Sequence, residues 1–335
     1  MSVQEAERSA QRGTSVRWRN HRSSTLAGLC LLVALGVCGV VLPQLGVNTY
    51  VLSVAYTVAF YVAVAQSWNL FSGFTGYISF AQGALVGVGS YAGILAANHG
   101  ASFIVAIGAG AAAALIASVL VGLPSLRLRG IAFAFATIFF QAIVLIATEK
   151  SPSVTNGPQG LASTQLKPIS ALLVAMTLVA VTATVLVLLL RRSRLGLKLL
   201  AIREDETAAG VVGIHTIRLK LTAFAVSALF AGAAGALHGF FLSTLFPVSV
   251  FNIKGSVEPL VIALVGGPAS AFGPLVMATV YGVSQEILRS IGSELQLVLL
   301  GAILVIVVLF ARNGLAGLVS RGLERIRARR TKESS

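Results

Sequence analysis

The 335-residue chain is 56% hydrophobic and only 11% charged, with a mean hydropathy of +0.89, whereas a typical soluble domain carries about a quarter charged residues. That balance excludes a water-soluble fold. The net charge of +14 would suggest nucleic acid if the basic residues lay on a soluble surface, but they collect beside apolar runs, the pattern of inward-facing membrane loops in contact with anionic lipid.

About 20 apolar residues cross the roughly 30 Å hydrocarbon core as a helix. In chain order, apolar runs fall near residues 25–41, 50–70, 77–97, 101–122, 131–148, 169–190, 221–242, 260–265 with its flanks, 274–288 and 296–310. The expectation is therefore an all-α, polytopic membrane protein of about ten transmembrane helices. The first run follows Arg17, Arg19 and Arg22, is long for a secretory signal, and reads as a retained helix. Its two cysteines, Cys30 and Cys38, lie about 12 Å apart along a helix, too far for a disulfide. The eighth run is interrupted by Gly266, Gly267 and Pro268, so the eighth and ninth form one broken or re-entrant region.

Orientation follows from parity. Five Arg lie in residues 1–22, Arg127 and Arg129 follow the fourth run, and residues 191–220 and 312–332 carry seven Lys or Arg each. With the N-terminus inside, every cluster falls inside, and both termini are cytoplasmic. The domain reading is a basic cytoplasmic tail over 1–23, a transmembrane permease domain over 24–311 that includes a cytoplasmic connection at 191–220, and a second basic tail over 312–335. The outer connection at 149–168 reads as an irregular loop turning at Asn156, Gly157 and Pro158.

Within the inner connection, the run AIREDE at 201–206 leads into TAAGVVG at 207–213. Asp205 suits an N-cap, Glu206 suits the positive helix end, and Gly213 can take the left-handed stop. Asp205, Ala208, Ala209 and Val212 recur at i, i+3, i+4 and i+7, giving a narrow face of small side chains that a partner can approach. An ordinary solvated loop fits the same spacing.

A second constellation spans residues 69–89. Gly73 and Gly76 can break a helix, and irregular backbone at membrane depth is tolerated only where protein or a water-filled cavity surrounds it. Asn69, Ser79 and Gln82 therefore either line a translocation pathway with Gly73 and Gly76 or hydrogen-bond between helices. Gly83 with Gly87, and Gly235 with Gly239, are GxxxG pairs suited to close helix packing. Of the ionisable groups near apolar runs, Glu258 and Glu286 sit near run ends, where an interfacial position fits, and His238 fits simple packing. Four scattered His and few carboxylates offer no metal-ligand spacing and no acid-base relay, so no enzymatic chemistry is expected in this chain. The phosphate loop GxxxxGK[ST] does not occur, and any ATP is left to a partner.

The residues 69–95, the run LRLRG at 126–130, TNGPQG at 155–160, AIREDE with Ala208 and Ala209, and LVGGPASAFGP at 264–274 resemble the LivM-type permeases of branched-chain amino-acid ABC importers. The resemblance covers roughly residues 48–290. It implies that the inner connection docks on ABC ATPase subunits through Ile202, Arg203, Glu204, Asp205, Glu206, Ala208, Ala209 and Gly213. It further implies a second homologous permease subunit, an extracytoplasmic solute-binding protein, ATP and Mg held by the ATPase with no cofactor in this chain, and a bacterial inner-membrane location. Many importer permeases carry Glu just before the paired Ala; here Thr207 stands there and Glu206 is one place earlier. Related permeases handle urea and short amides, so the solute is open to these as well as to branched-chain amino acids. The competing class is an ion-coupled secondary transporter, which needs ionisable groups at the membrane midplane.

Overall fold

The structure, a computed structural model, describes residues 41–291 together with residues 32, 33, 36, 37 and 39. Most of the run at 25–41, with Cys30 and Cys38, the run at 296–310 and both tails lie outside the described residues.

Helix α1 (Thr49–Trp68) starts at Asn48, whose side chain accepts the Tyr50 N–H at 3.3 Å, an N-cap. It continues through a π-helical turn, Asn69–Gly73, before an irregular stretch that leads to α2 (Gln82–Asn98). Helices α3 (Phe103–Ser125) and α4 (Ile131–Glu149) follow. The next connection holds the short α5 (Pro152–Thr155) and strand β1 (Leu161–Ala162). The left-handed conformation of Asn156 and Gly157 makes the expected turn there. After α6 (Ile169–Arg192) come two short helices, α7 (Arg194–Glu204) and α8 (Glu206–Val211), then the long α9 (Thr216–Leu242). Strand β2 (Thr244–Leu245) pairs antiparallel with β1, Leu161 opposite Leu245. The described chain closes with α10 (Pro247–Val250), α11 (Lys254–Gly266) and α12 (Phe272–Ile291).

Among the described residues, six helical stretches are long and apolar enough to cross a membrane. Isoleucine, leucine and phenylalanine on the outer faces of α3, α4 and α6, such as Ile104, Leu120, Phe139, Ile143 and Leu178, are exposed, an apolar exterior that suits lipid rather than water. The core runs through α9, which packs on α2 and α3 and also touches α1 and α6. Small residues make this closeness possible. A Cβ on Gly235 would fall on the Val86 carbonyl, and one on Gly110 would lie 2.6 Å from the Gly89 carbonyl. Gly83 backs onto Ser256, Gly87 onto the Phe251 ring and Gly239 onto Ile94.

Two expectations need correction. The helix expected at 77–97 starts at Gln82, because residues 74–81 are held in irregular form by side chains from elsewhere: Thr137 Oγ1 accepts the Phe80 N–H at 3.0 Å. The inner connection holds a further helix, α7, ahead of the one capped by Asp205, which is extended (φ −155°) between them. The interrupted region is broken where the glycines stand and forms a helical hairpin. Helix α11, of 13 residues, is about 20 Å long and too short to cross a bilayer alone. The chain turns through residues 267–271, and α12 returns antiparallel, as Glu258 opposite Tyr281 requires.

The bundle has two distinguishable ends. At one, Lys220 Nζ donates to the Leu126 carbonyl at 3.2 Å, joining the 126–130 turn to the connection between α6 and α9. At the other, Asn98 Nδ2 donates to the Ala162 carbonyl at 2.9 Å and Asn98 Oδ1 accepts the Thr164 N–H at 2.9 Å, beside the β1–β2 pair. The basic segments Arg127, Arg129 and 191–220 all gather at the first end.

Candidate functional site

At the basic end, α8 is set by its cap: Asp205 Oδ1 accepts the N–H groups of Thr207 (2.8 Å) and Ala208 (3.0 Å). Gly213, at φ +83°, takes the left-handed turn that ends the helix. Ala208, Val211 and Val212 point outward, the two valines 83% and 76% exposed, among the exposed polar residues Glu204, Asp205 and Thr207. Three residues of the expected docking set, Ile202, Glu206 and Ala209, do not share that surface. Ile202 and Ala209 are each 3% exposed and pack inward, so the outward face is Ala208 with the two valines.

Glu206 also turns inward. Its Oε1 accepts from Lys220 Nζ at 2.6 Å, and its Oε2 accepts from the Tyr77 hydroxyl. The Lys220 ammonium donates further to Tyr77 Oη and to the Leu126 carbonyl, each at 3.2 Å. Its three N–H bonds are thus all used, and it lies over the Tyr77 ring, 4.3 Å from the centroid. Burial pushes the Glu206 carboxyl up, but the hydrogen bonds from Lys220 and Tyr77 and the lysine charge outweigh it and hold the group below its ordinary value. One residue turn away, Arg203 Nη1 donates to the Gly73 carbonyl at 2.9 Å. Gly76 is at φ +75° with the Arg203 side chain against it, so a side chain there would be both strained and obstructed. The α7–α8 connection therefore holds the irregular stretch after α1 at two points.

That stretch is tied in turn to the α11–α12 hairpin. Asn69 Oδ1 accepts the Ala269 N–H at 2.8 Å while its Nδ2 donates to the Ser270 carbonyl at 2.7 Å and to Gln66 Oε1 at 3.3 Å. Gln66 Nε2 donates to the Ala271 carbonyl at 2.5 Å. Gln82 Nε2 donates to Ser67 Oγ at 2.6 Å, and Ser67 Oγ donates to the Ser227 carbonyl at 2.6 Å. Ser79 Oγ accepts the Ala81 N–H at 3.2 Å, and its carbonyl accepts Trp68 Nε1–H at 2.9 Å. Asn69, Ser79 and Gln82 are buried and engaged within the protein. Gln82 joins α2 to α1, Asn69 joins α1 to the 267–271 turn, and the Ser79 hydroxyl bonds only within its own irregular stretch.

Nearer the other end lies a cavity of about 280 Å³. Its lining includes Tyr56, Phe60, Tyr61, His238, Lys254 and Glu258. Glu258, 11% exposed, is largely enclosed: Tyr281 Oη donates to it at 2.7 Å and Tyr61 Oη at 3.3 Å, and Lys254 Nζ stands 3.5 Å away. His238 stacks on Phe60 with ring centroids 4.2 Å apart. Among the described residues, no cluster of three or more His, Cys, Asp or Glu that could hold a metal occurs.

A family model described as "branched-chain amino acid transport system / permease component" matches residues 50–308, which include the α7–α8 connection, the break after α1 and the cavity. The chain belongs to that permease family. Among curated relatives of the family, the high-affinity branched-chain amino acid transport system permease protein LivM of Escherichia coli (strain K12) is 29% identical over 87% of this chain and 76% of its own length. Its Salmonella typhimurium counterpart is equally similar. The LivH permease protein of E. coli is 25% identical over 77% of this chain and 91% of its own length. No solved structure matches the chain. In this member of the permease family, the residues that sequence reasoning missed are Lys220, Tyr77 and Tyr281. Lys220 carried a signal: it is a lysine directly abutting a long apolar run, where a charge is costly unless paired.

Proposed function

We propose that this permease-family chain is the membrane-spanning subunit of an ATP-driven importer for branched-chain amino acids, and that α8 is the element on which a partner ATPase docks. The basic end is the cytoplasmic one by the positive-inside rule, with the chain in a bacterial inner membrane and about ten spans in all. ATP and Mg are bound by the ATPase. A second permease subunit completes the pathway, and an extracytoplasmic binding protein delivers solute.

One observation carries this reading. The outward face of α8 is an apolar tip, Ala208, Val211 and Val212, in polar surroundings, while its inward side is fastened through Glu206 to Tyr77 and the end of α7 through Arg203 to Gly73. A small exposed apolar patch rimmed by polar groups suits a protein partner, and the fastenings give a push on it somewhere to go. From Gly73 the contacts continue through Asn69 to the α11–α12 turn, so movement of α8 bears on the hairpin beside the cavity. Alternating access then follows when ATP binding closes the ATPases.

The test is to purify the tagged chain from its native host in mild detergent, beside a Val211→Asp, Val212→Asp variant. The expected outcome is an ATPase that accompanies the wild type and is lost from a still monodisperse variant. A wild-type chain free of any ATPase, or a variant that keeps both its ATPase and normal uptake, overturns the reading.

A further inference from the structure

Helix α6 has 24 residues, about 36 Å at 1.5 Å per residue, long enough to carry its last turn past a hydrocarbon core of roughly 30 Å. Its exposed side chains Val174, Leu178, Val185 and Leu189 recur at i, i+4, i+11 and i+15, one stripe of an α-helix. Arg192, at i+18 and also exposed, continues that stripe. The surface that suits lipid thus ends on a cation where the helix reaches the headgroups.

Helix α7 begins directly behind it. Ser193 is extended (φ −88°, ψ 158°) and its Oγ accepts the Gly196 N–H at 3.0 Å. A Cβ on Gly196 would fall on the Leu190 carbonyl, so the first turn of α7 lies against the end of α6 and cannot drop away from the interface. Helix α7 buries Gly196, Leu199 and Ile202 but leaves Arg194, Leu195, Leu197 and Lys198 exposed, the two leucines 54% and 53%. Among the described residues, no carboxylate pairs with Arg191, Arg192, Arg194 or Lys198. The nearest acid along α7 is Glu204, about 15 Å from Arg194 by helical rise, at the docking tip.

Resting on the cytoplasmic placement of this end, we propose that the elbow between α6 and α7 is a binding surface for anionic phospholipid. Arg192, Arg194 and Lys198 take the headgroup phosphates, and Leu195 and Leu197 enter the boundary between headgroups and acyl chains, the mixture of cations and apolar side chains that suits an interfacial helix. Two observations select lipid over a protein partner: the surface continues the apolar stripe of α6 without a break, and its charge has one sign, complementary to an anionic leaflet. Helix α7 is then held at both ends, by lipid at Arg194 and by the Gly73 carbonyl at Arg203. Anionic lipid thereby fixes the base on which α8 moves, and transport depends on it.

The experiment reconstitutes the whole importer in vesicles of phosphatidylcholine, alone or mixed with phosphatidylglycerol, doped with either lipid carrying a diazirine near its headgroup. Labelling of residues 191–198 by the phosphatidylglycerol probe is expected to exceed that by the phosphatidylcholine probe about fivefold or more, the preference of even one basic side chain for an anionic surface, and to fall as salt is raised. L-leucine uptake by the wild type is expected to rise with phosphatidylglycerol. Uptake by an Arg192→Gln, Arg194→Gln, Lys198→Gln variant stays at the phosphatidylcholine level in both vesicles. Equal labelling by the two probes, labelling confined to other segments, or a variant that responds to phosphatidylglycerol like the wild type overturns the proposal. The wild-type labelling decides even if the variant fails to fold. It also needs neither ATPase nor uptake, so it stands apart from the importer reading, which falls only if the wild type carries no ATPase.

Discussion

Two lysine–glutamate pairs sit toward opposite ends of this bundle, and chemistry alone does not distinguish them. In Lys220–Glu206 the charged atoms are 2.6 Å apart, the lysine is 1% exposed, and every ammonium proton has an acceptor. In Lys254–Glu258 the separation is 3.5 Å and the lysine is 45% exposed. In the first pair the ammonium is saturated, with no proton left for a visitor, so it fastens one element to another. The second is half-made, with a well-held carboxylate and a loosely held ammonium. Local saturation, more than residue identity, separates a fastening from a loosely held pair.

Breaking the fastening gives the largest expected effect. Lys220→Met leaves Glu206 partly buried without its counter-ion, a loss of about 3–5 kcal/mol for pairs of this kind, read as a lowered Tm in detergent with loss of the ATPase. Adding Glu206→Leu to Lys220→Met restores most of the Tm, since apolar replacement of a whole buried pair is often neutral, but not the coupling. At the cavity, Tyr281→Phe removes the shortest donor to Glu258, a loss of about 1.5–3 kcal/mol for a hydrogen bond to a charged group, read by the same melt. A smaller effect is pH-dependent. Because the Glu206 carboxyl is held below its ordinary value of 4.5, folding favours its deprotonated form. The stabilisation is fully present above pH 4.5 and is lost as pH falls through the lowered value. Melts of wild type and Glu206→Gln should therefore differ at pH 7 and converge as the pH is taken progressively below 4.5. The smallest effect is Lys254→Gln: a loose, half-exposed pair contributes at most about 1 kcal/mol, so the Tm stays nearly unchanged.

Much of the helical frame was legible in the sequence because lipid imposes a simple demand. Residues 131–148 and 169–190 read as uncharged runs and fold as helices within two residues of those bounds. Residues 77–81 misled because Tyr77, Ile78 and Phe80 have the composition of a span, while their irregular path is fixed by Thr137, Arg203 and Glu206 from distant parts of the chain. In the inner connection, Asp205 was readable as a cap, which is a local matter. The inward turn of Ile202, Glu206 and Ala209 was not, since it depends on Lys220 and on the packing beneath. The position of Glu258 near a run end is visible in sequence, and its donors Tyr61 and Tyr281 are not.

The glycine contacts between α2, α3 and α9 have a mechanical consequence. Where Gly235 meets the Val86 carbonyl and Gly110 meets that of Gly89, backbone rests on backbone, with few rotamers to reshuffle and little slack to absorb a tilt. Those three helices should travel as a single plank. The same close seating recurs at the root of the α11–α12 hairpin, where Gly266 meets the backbone of Gly273 and Pro274, and where Gly282 meets Val58 of α1, so a tilt of any of these helices is passed to its neighbour with little loss.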